Sequence, residues 1–158
     1  MRKLDHIDVE ILSILQADGK TRNVSLAKQV NLSPTPCLER VKALENEGII
    51  TGYSANLSAS RLGLGLIVFV WILLDRTAEE VFDKFGQAVM DIQEIQECHM
   101  VTGGFDYLLK VRVTDMGAYR NFLGHVLSKI SGIKETHSYP VMEEIKDTTL
   151  LALDHLRL

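Results

Sequence analysis

Cysteine is scarce in this chain of 158 residues, and the two present, Cys37 and Cys98, lie far apart. Neither has a second cysteine or a histidine at metal-ligand spacing, which excludes a disulfide scaffold and a zinc site and suits a reducing compartment. Positive charge is not in excess either, since the formal net charge is −4. Residues 1–53 carry seven Lys/Arg against seven Asp/Glu, and 54–158 carry ten against fourteen. The whole deficit therefore sits in the second part, and the first can tolerate a phosphate backbone without being a basic patch. No apolar run is long enough to span a bilayer. The longest, 62–74, contains Gly63 and Gly65 and falls short of the roughly 20 residues a spanning helix needs. Charge alternates with apolar residues from the first position, so no secretory leader is expected. Catalytic arrangements are missing as well: His6, His99, His125, His137 and His155 are scattered, with no Ser/His/Asp or Gly-x-Ser-x-Gly context. An enzyme and a metal cofactor are not expected.

What is present begins with three helical signals. Asp5 reads as an N-cap, Asp8 adds first-turn negative charge, and Ile7, Ile11, Leu12, Ile14 and Leu15 form an apolar stripe that Gly19 ends. A short helix is predicted after Asn23, over Val24 to Val30, and Asn31 stands where a left-handed residue is wanted. Ser33 then caps a third helix, with Pro34 and Pro36 in the first turn, where missing N–H groups cost nothing. The third helix turns Cys37, Val41 and Leu44 to one face and Thr35, Glu39, Lys42 and Asn46 to the other, with Pro36 and Arg40 on a flank. Two short helices joined by a tight turn, with small Ala27 at the crossing, make a helix-turn-helix. A plain three-helix bundle has the same periodicity. The small polar and proline residues that open the outer face, followed by Arg40 and Lys42, favour a DNA reader over a solvated Glu/Lys face. Residues 49–55 read as a strand, a wing or a connector.

The remaining chain predicts β-α-β-β-α-β: strands over 64–74, 95–102, 105–113 and 133–142, and two helices. The first of these helices opens with a Thr77-x-x-Glu80 capping box; the second is capped by Asp115 and ends at Ser131-Gly132. Gly103-Gly104 reads as a tight turn. The expected class is α+β, a winged helix-turn-helix domain (1–53), a connector (54–63) and a ferredoxin-like domain (64–158). Its first strand is apolar on both faces, so the sheet is expected to pack on a second copy. Dimerisation also suits a reader of two DNA half-sites. Phe105 and Tyr107 lack the accompanying pattern of an RNA-binding sheet.

From Leu32 onward Ser33-Pro34-Thr35-Pro36-Cys37-Leu38-Glu39-Arg40-Val41, then Leu44-Glu45-x-x-Gly48-Ile49-Ile50-x-Gly52-Tyr53, resemble the Lrp/AsnC ("feast/famine") regulators. Ile95-Gln96-Glu97-Cys98-His99, Thr102-Gly103-Gly104-Phe105-Asp106-Tyr107-Leu108-Leu109-Lys110 and Val141-Met142-Glu143-Glu144-Ile145-Lys146 continue the likeness. The resemblance covers nearly the whole chain and is nearest to the leucine-responsive branch. It implies a cytoplasmic, nucleoid-associated bacterial transcription regulator that binds double-stranded DNA through its third helix. It also implies dimers that assemble into octamers and an amino-acid effector, leucine or methionine first. The DNA contacts would come from Ser33, Pro34, Thr35, Pro36, Glu39, Arg40 and Lys42. The effector cleft would lie between dimers, bordered by Thr102, Gly103, Gly104 and Asp106 and by the fourth strand.

The residue chemistry suits that cleft. Glycines admit a carboxylate close to backbone N–H groups, and Asp106 is a partner for an α-ammonium. Thr136 and Ser138 offer hydroxyls, and Met100 and Met116 an adaptable apolar wall. Two other readings stand beside it: Gly103-Gly104 as a mere hairpin turn with Asp106 as a cap, and a low-specificity DNA-compacting protein in place of a sequence-specific one.

Overall fold

The computed structural model describes residues 3–156; the first two and last two residues of the expected domains lie outside it. The elements are α1 (His6–Ala17), α2 (Asn23–Gln29), α3 (Pro34–Asn46), β1 (Leu66–Leu74), α4 (Glu79–Met90), β2 (Ile95–Met100), β3 (Tyr107–Val113), α5 (Met116–His125) and β4 (Ile133–Pro140). The chain divides into two compact units, Met1–Asn56 with Lys146–Leu158, and Leu57–Ile145.

In the first unit the capping chemistry sets the helix boundaries. Asp5 accepts from the Asp8 N–H and Asp8 reaches back to the Asp5 N–H, a reciprocal box at the start of α1. The N-cap of α2 is Arg22, one residue before the expected position. Asn23 is instead the first helical residue, and its side chain donates to the Pro34 carbonyl at 2.8 Å, tying α2 to the start of α3. Asn31 does adopt the left-handed conformation, φ 55°. Ile11, Leu15, Leu26, Ala27, Val30, Cys37 and Leu44 form the core. No strand forms over 49–55. An extended segment becomes a strand only against a ladder partner, and here Tyr53 turns back instead, its hydroxyl donating to Glu45 at 2.9 Å. Burial first, and then Glu45, push the Tyr53 phenol up to about 12. The expected sheet domain takes in everything from 64 onward, while in the structure residues 146–156 cluster with the helical unit. There the Gln16 side-chain amide both donates to the Leu151 carbonyl and accepts its N–H, each at 3.0 Å. An amide clamp of this kind leaves no periodic trace in sequence.

The second unit is the expected βαββαβ, with strand order β2-β3-β1-β4 and every pairing antiparallel. One sheet face carries Val68, Val70, Ile72 and Leu74 against Phe85, Val89, Tyr119 and Phe122 of the helices. Several boundaries differ from expectation. α4 begins after Ala78 with no side-chain cap, so the Thr77 box does not form; Glu79 and Glu80 supply the first-turn negative charge instead. α5 stops at His125, and a 3₁₀ turn over Leu127–Lys129 follows. β2 and β3 end and begin two residues short of the Gly-Gly pair, so 101–106 is a six-residue loop, closed by the Val101 N–H on the Asp106 carbonyl at 2.9 Å. Gly103 has φ 141°, a conformation that suits glycine and carries the chain out of the ladder.

Candidate nucleic-acid interface and effector site

Of the proposed DNA contacts, Ser33, Pro34, Thr35, Pro36, Glu39 and Lys42 are exposed together along the first two and a half turns of α3. Ser33 occupies the N-cap position in an extended conformation, but its hydroxyl makes no capping bond, which leaves it available to an outside acceptor or donor. The anion site at this helix start is narrow. Pro34 and Pro36 have no N–H, and the Cys37 N–H already bonds to the Ser33 carbonyl at 3.3 Å. The Ser33 and Thr35 N–H groups and the Ser33 hydroxyl remain to meet a phosphate.

Arg40 stands apart from the others. It is half-buried, and its Nη1 donates to Asp5 Oδ2 and to Asp8 Oδ1, both at 2.8 Å. The Asp8 N–H first, with the Arg40 guanidinium behind it, holds the Asp5 carboxyl below its ordinary value; the two carboxylates, Asp5 foremost, raise the guanidinium further. Sequence periodicity located Arg40 on the flank of α3 but gave no sign of its partners on α1.

The expected effector residues do not converge within one chain. Met100 lies at the end of β2, at one edge of the sheet; Thr136 and Ser138 lie on β4 at the other edge, opposite Ile72 and Val70. Three strand spacings separate the edges, about 14 Å. Ser138 also shares a 2.6 Å hydrogen bond with the Tyr119 hydroxyl, and burial raises the Tyr119 phenol. Thr102, Gly103, Gly104, Met100 and Met116 are exposed.

Asp106 already has a structural duty. Its Oδ2 accepts the Leu74 N–H at 2.7 Å, and its own N–H donates to the Ile72 carbonyl at 2.9 Å. Leu74 is where the β1–β4 register slips, so the carboxylate satisfies a backbone donor at the irregularity. A carboxylate has lone pairs to spare, and an ammonium partner remains chemically open to it.

Sequence reasoning missed the grouping on the sheet face opposite the helices. Trp71 stacks on His137 with ring centroids 3.9 Å apart and on Phe105 at 5.3 Å, and its indole N–H donates to the Tyr139 hydroxyl at 2.8 Å. On the same face Lys110 Nζ bonds to Glu97 Oε1 at 3.1 Å, and His99 meets the other oxygen of Glu97 at 3.1 Å. His99 first and then Lys110 lower the Glu97 carboxyl. The sequence showed only that the first strand is apolar on both faces; the particular partners depend on register.

Among the described residues no helix is long and apolar enough to cross a membrane, and no cluster of ligating side chains could hold a metal.

Comparison with known proteins resolves the kinship of both units. A winged helix-turn-helix DNA-binding profile matches residues 4–51, and the Lrp/AsnC ligand binding domain profile matches 67–151. The leucine-responsive regulatory protein of Klebsiella pneumoniae is 53% identical over 96% of this chain and 93% of its own length. A transcriptional regulator of Neisseria meningitidis, crystallised with L-methionine, superposes with a TM-score of 0.92 at 40% identity, over 97% of this chain and 99% of that one. An AsnC family transcriptional regulator of Agrobacterium tumefaciens gives a TM-score of 0.92 at 37% identity, over 96% of this chain and 99% of that one. These relatives are regulators, not enzymes. With both halves matched and identity above one half along nearly its whole length, the chain belongs to the Lrp/AsnC family.

Proposed function

We propose that this protein is a sequence-specific DNA-binding transcriptional regulator whose DNA affinity is set by an amino acid, leucine or methionine. The observation that carries the proposal is the union in one chain of a winged helix-turn-helix unit over 4–51 and a ligand-binding domain over 67–151. A relative named for its response to leucine and another crystallised with L-methionine point to a medium-sized apolar amino acid. α3 enters the major groove, with Thr35, Glu39 and Lys42 toward base edges and Ser33 toward phosphate. The effector's ammonium pairs with Asp106, its carboxylate with the backbone at Gly103 and Gly104, and its side chain lies against Met100 and Met116.

The separation of Met100 from Thr136 and Ser138 across the sheet favours a site completed by another copy, the loop from one and β4 from its neighbour. The stacked Trp71 face is the surface for the dimer, and dimers assemble further into an octamer. The protein works in the cytoplasm, on the nucleoid, and uses no cofactor.

The test is a thermal-shift screen of the full chain against the twenty amino acids. A ligand at 100 times its dissociation constant stabilises by about 2.7 kcal/mol. Shifts confined to leucine, methionine and close analogues support the reading; no shift with any amino acid at millimolar concentration removes the effector from it.

A further inference from the structure

From the geometry of the α1 start we infer that Arg40 does not touch DNA but is the positioning residue that sets the angle of α3 against α1, through a closed bridge to Asp5 and Asp8. Every carboxylate oxygen of the pair is engaged. Asp5 Oδ1 accepts the Asp8 N–H at 2.9 Å and Asp8 Oδ2 the Asp5 N–H at 3.2 Å, while Asp5 Oδ2 and Asp8 Oδ1 both accept from Arg40 Nη1 at 2.8 Å. The side chain of Asp8 is fully buried, and that of Arg40 only 29% exposed. A buried carboxylate is tolerated only where its charge and its oxygens are matched, and Arg40 is the partner that does so from α3.

The bridge matters because the core it flanks, Ile11, Leu15, Cys37 and Leu44 among its members, is apolar. α3 buries only Cys37 and Leu44 completely, both on its inner face. Apolar burial is non-directional: it resists separation of the helices more than rolling of one against the other. A helix with its side chains is about 10–12 Å across, so a roll of about 20° carries a surface atom roughly 2 Å, enough to break a base-edge hydrogen bond. A guanidinium held by two short bonds on the flank of α3 fixes that roll. Thr35, Glu39 and Lys42, on the outer face, inherit their aim from it.

The inference rests on the DNA-binding reading, so binding of the wild type to a duplex enriched by it from a random library is the control. Absence of any wild-type binding would overturn that reading itself, whereas the results below concern Arg40 alone. Affinities of wild type, Arg40→Ala, Arg40→Lys and Asp8→Asn are measured from low to moderate salt. If Arg40 neutralised a phosphate, Arg40→Ala would lower the slope of log K against log salt by about 1. The positioning role predicts an unchanged slope with a loss of about tenfold on the enriched duplex, and partial recovery in Arg40→Lys. Asp8→Asn removes a negative charge, which by charge alone would tighten binding; positioning predicts weaker binding with the slope unchanged. Should Asp8→Asn fail to fold, Asp5→Ser keeps an N-cap acceptor while deleting one arm of the bridge, and the same weakening with unchanged slope is expected. A reduced slope in Arg40→Ala, or equal or tighter binding in the Asp8 or Asp5 variant, overturns the inference.

Discussion

The two units are held together by different means. The winged unit has a small core, and its geometry depends on discrete polar ties: the Asp5/Asp8 box with Arg40, Asn23 on the Pro34 carbonyl, and Tyr53 on Glu45. The sheet unit buries an apolar layer under two helices and leaves its opposite face half-covered, with Trp71, His137 and Tyr139 outward. A reader of DNA needs a surface aimed to within a hydrogen bond, which directional ties provide. The proposed assembly through the sheet would need apolar area left over for a partner, which a strand apolar on both faces provides.

The sharpest way to break this comparison is to cut each core separately. Phe85→Ala should cost the sheet unit about 3–5 kcal/mol, and Leu44→Ala about 2–5 kcal/mol in the winged unit. Trp71 is the only tryptophan, so its fluorescence follows the sheet unit alone. Leu44→Ala should abolish DNA binding while the Trp71 transition stays near the wild-type temperature. Coincident loss of both signals would show that the units fold as one.

A milder cut separates the two duties of Asp106. Asp106→Asn retains an oxygen for the Leu74 N–H but loses the charge for an ammonium. Stability should fall by less than about 1 kcal/mol, while the thermal shift produced by the amino acid disappears. A full shift in this variant would remove Asp106 from the site.

Acid should weaken both units through exposed pairs. The Asp5 and Glu97 carboxyls lie below their ordinary values, so their contribution is complete above the unfolded value of about 4. It fades as pH falls through the lower folded values. Being largely exposed, both contribute modestly. In Asp5→Ser the winged unit should lose less stability than wild type over that acid range; an identical acid profile would show that the Asp5 pairing contributes nothing.

The smallest effect expected is at Ser33. Its hydroxyl makes no capping bond, so Ser33→Ala should change stability by no more than about 0.5 kcal/mol, where a working N-cap is worth about 1 kcal/mol. DNA affinity should nonetheless fall. A normal capping loss with unaltered affinity would invert the assignment.

The sequence made visible whatever is local. Asp5 before an apolar stripe, Asn31 at a left-handed position and Pro34 at a helix start each announce themselves within four residues, and apolar runs bounded by cap and turn signals sufficed for βαββαβ. What stayed hidden depends on distant pairings. Nothing near Arg40 points to Asp8 and nothing near Gln16 to Leu151, while the acceptor role of Asp106 follows from a register slip in another strand. Thr77-x-x-Glu80 shows the reverse failure, a correct local motif set aside when the chain enters α4 through Ala78. Family resemblance and side-chain chemistry group the effector residues around one ligand, yet the strand order places Met100 and Ser138 at opposite edges.

The central claim is that one ligand links the two units. The direct measurement is the dissociation constant for a duplex enriched from a random library, with and without saturating L-leucine or L-methionine. The account predicts a change of about 5- to 150-fold, and the same factor in the amino acid's own affinity when DNA is bound. A DNA affinity that no amino acid alters, in a protein that binds the duplex well, would contradict it.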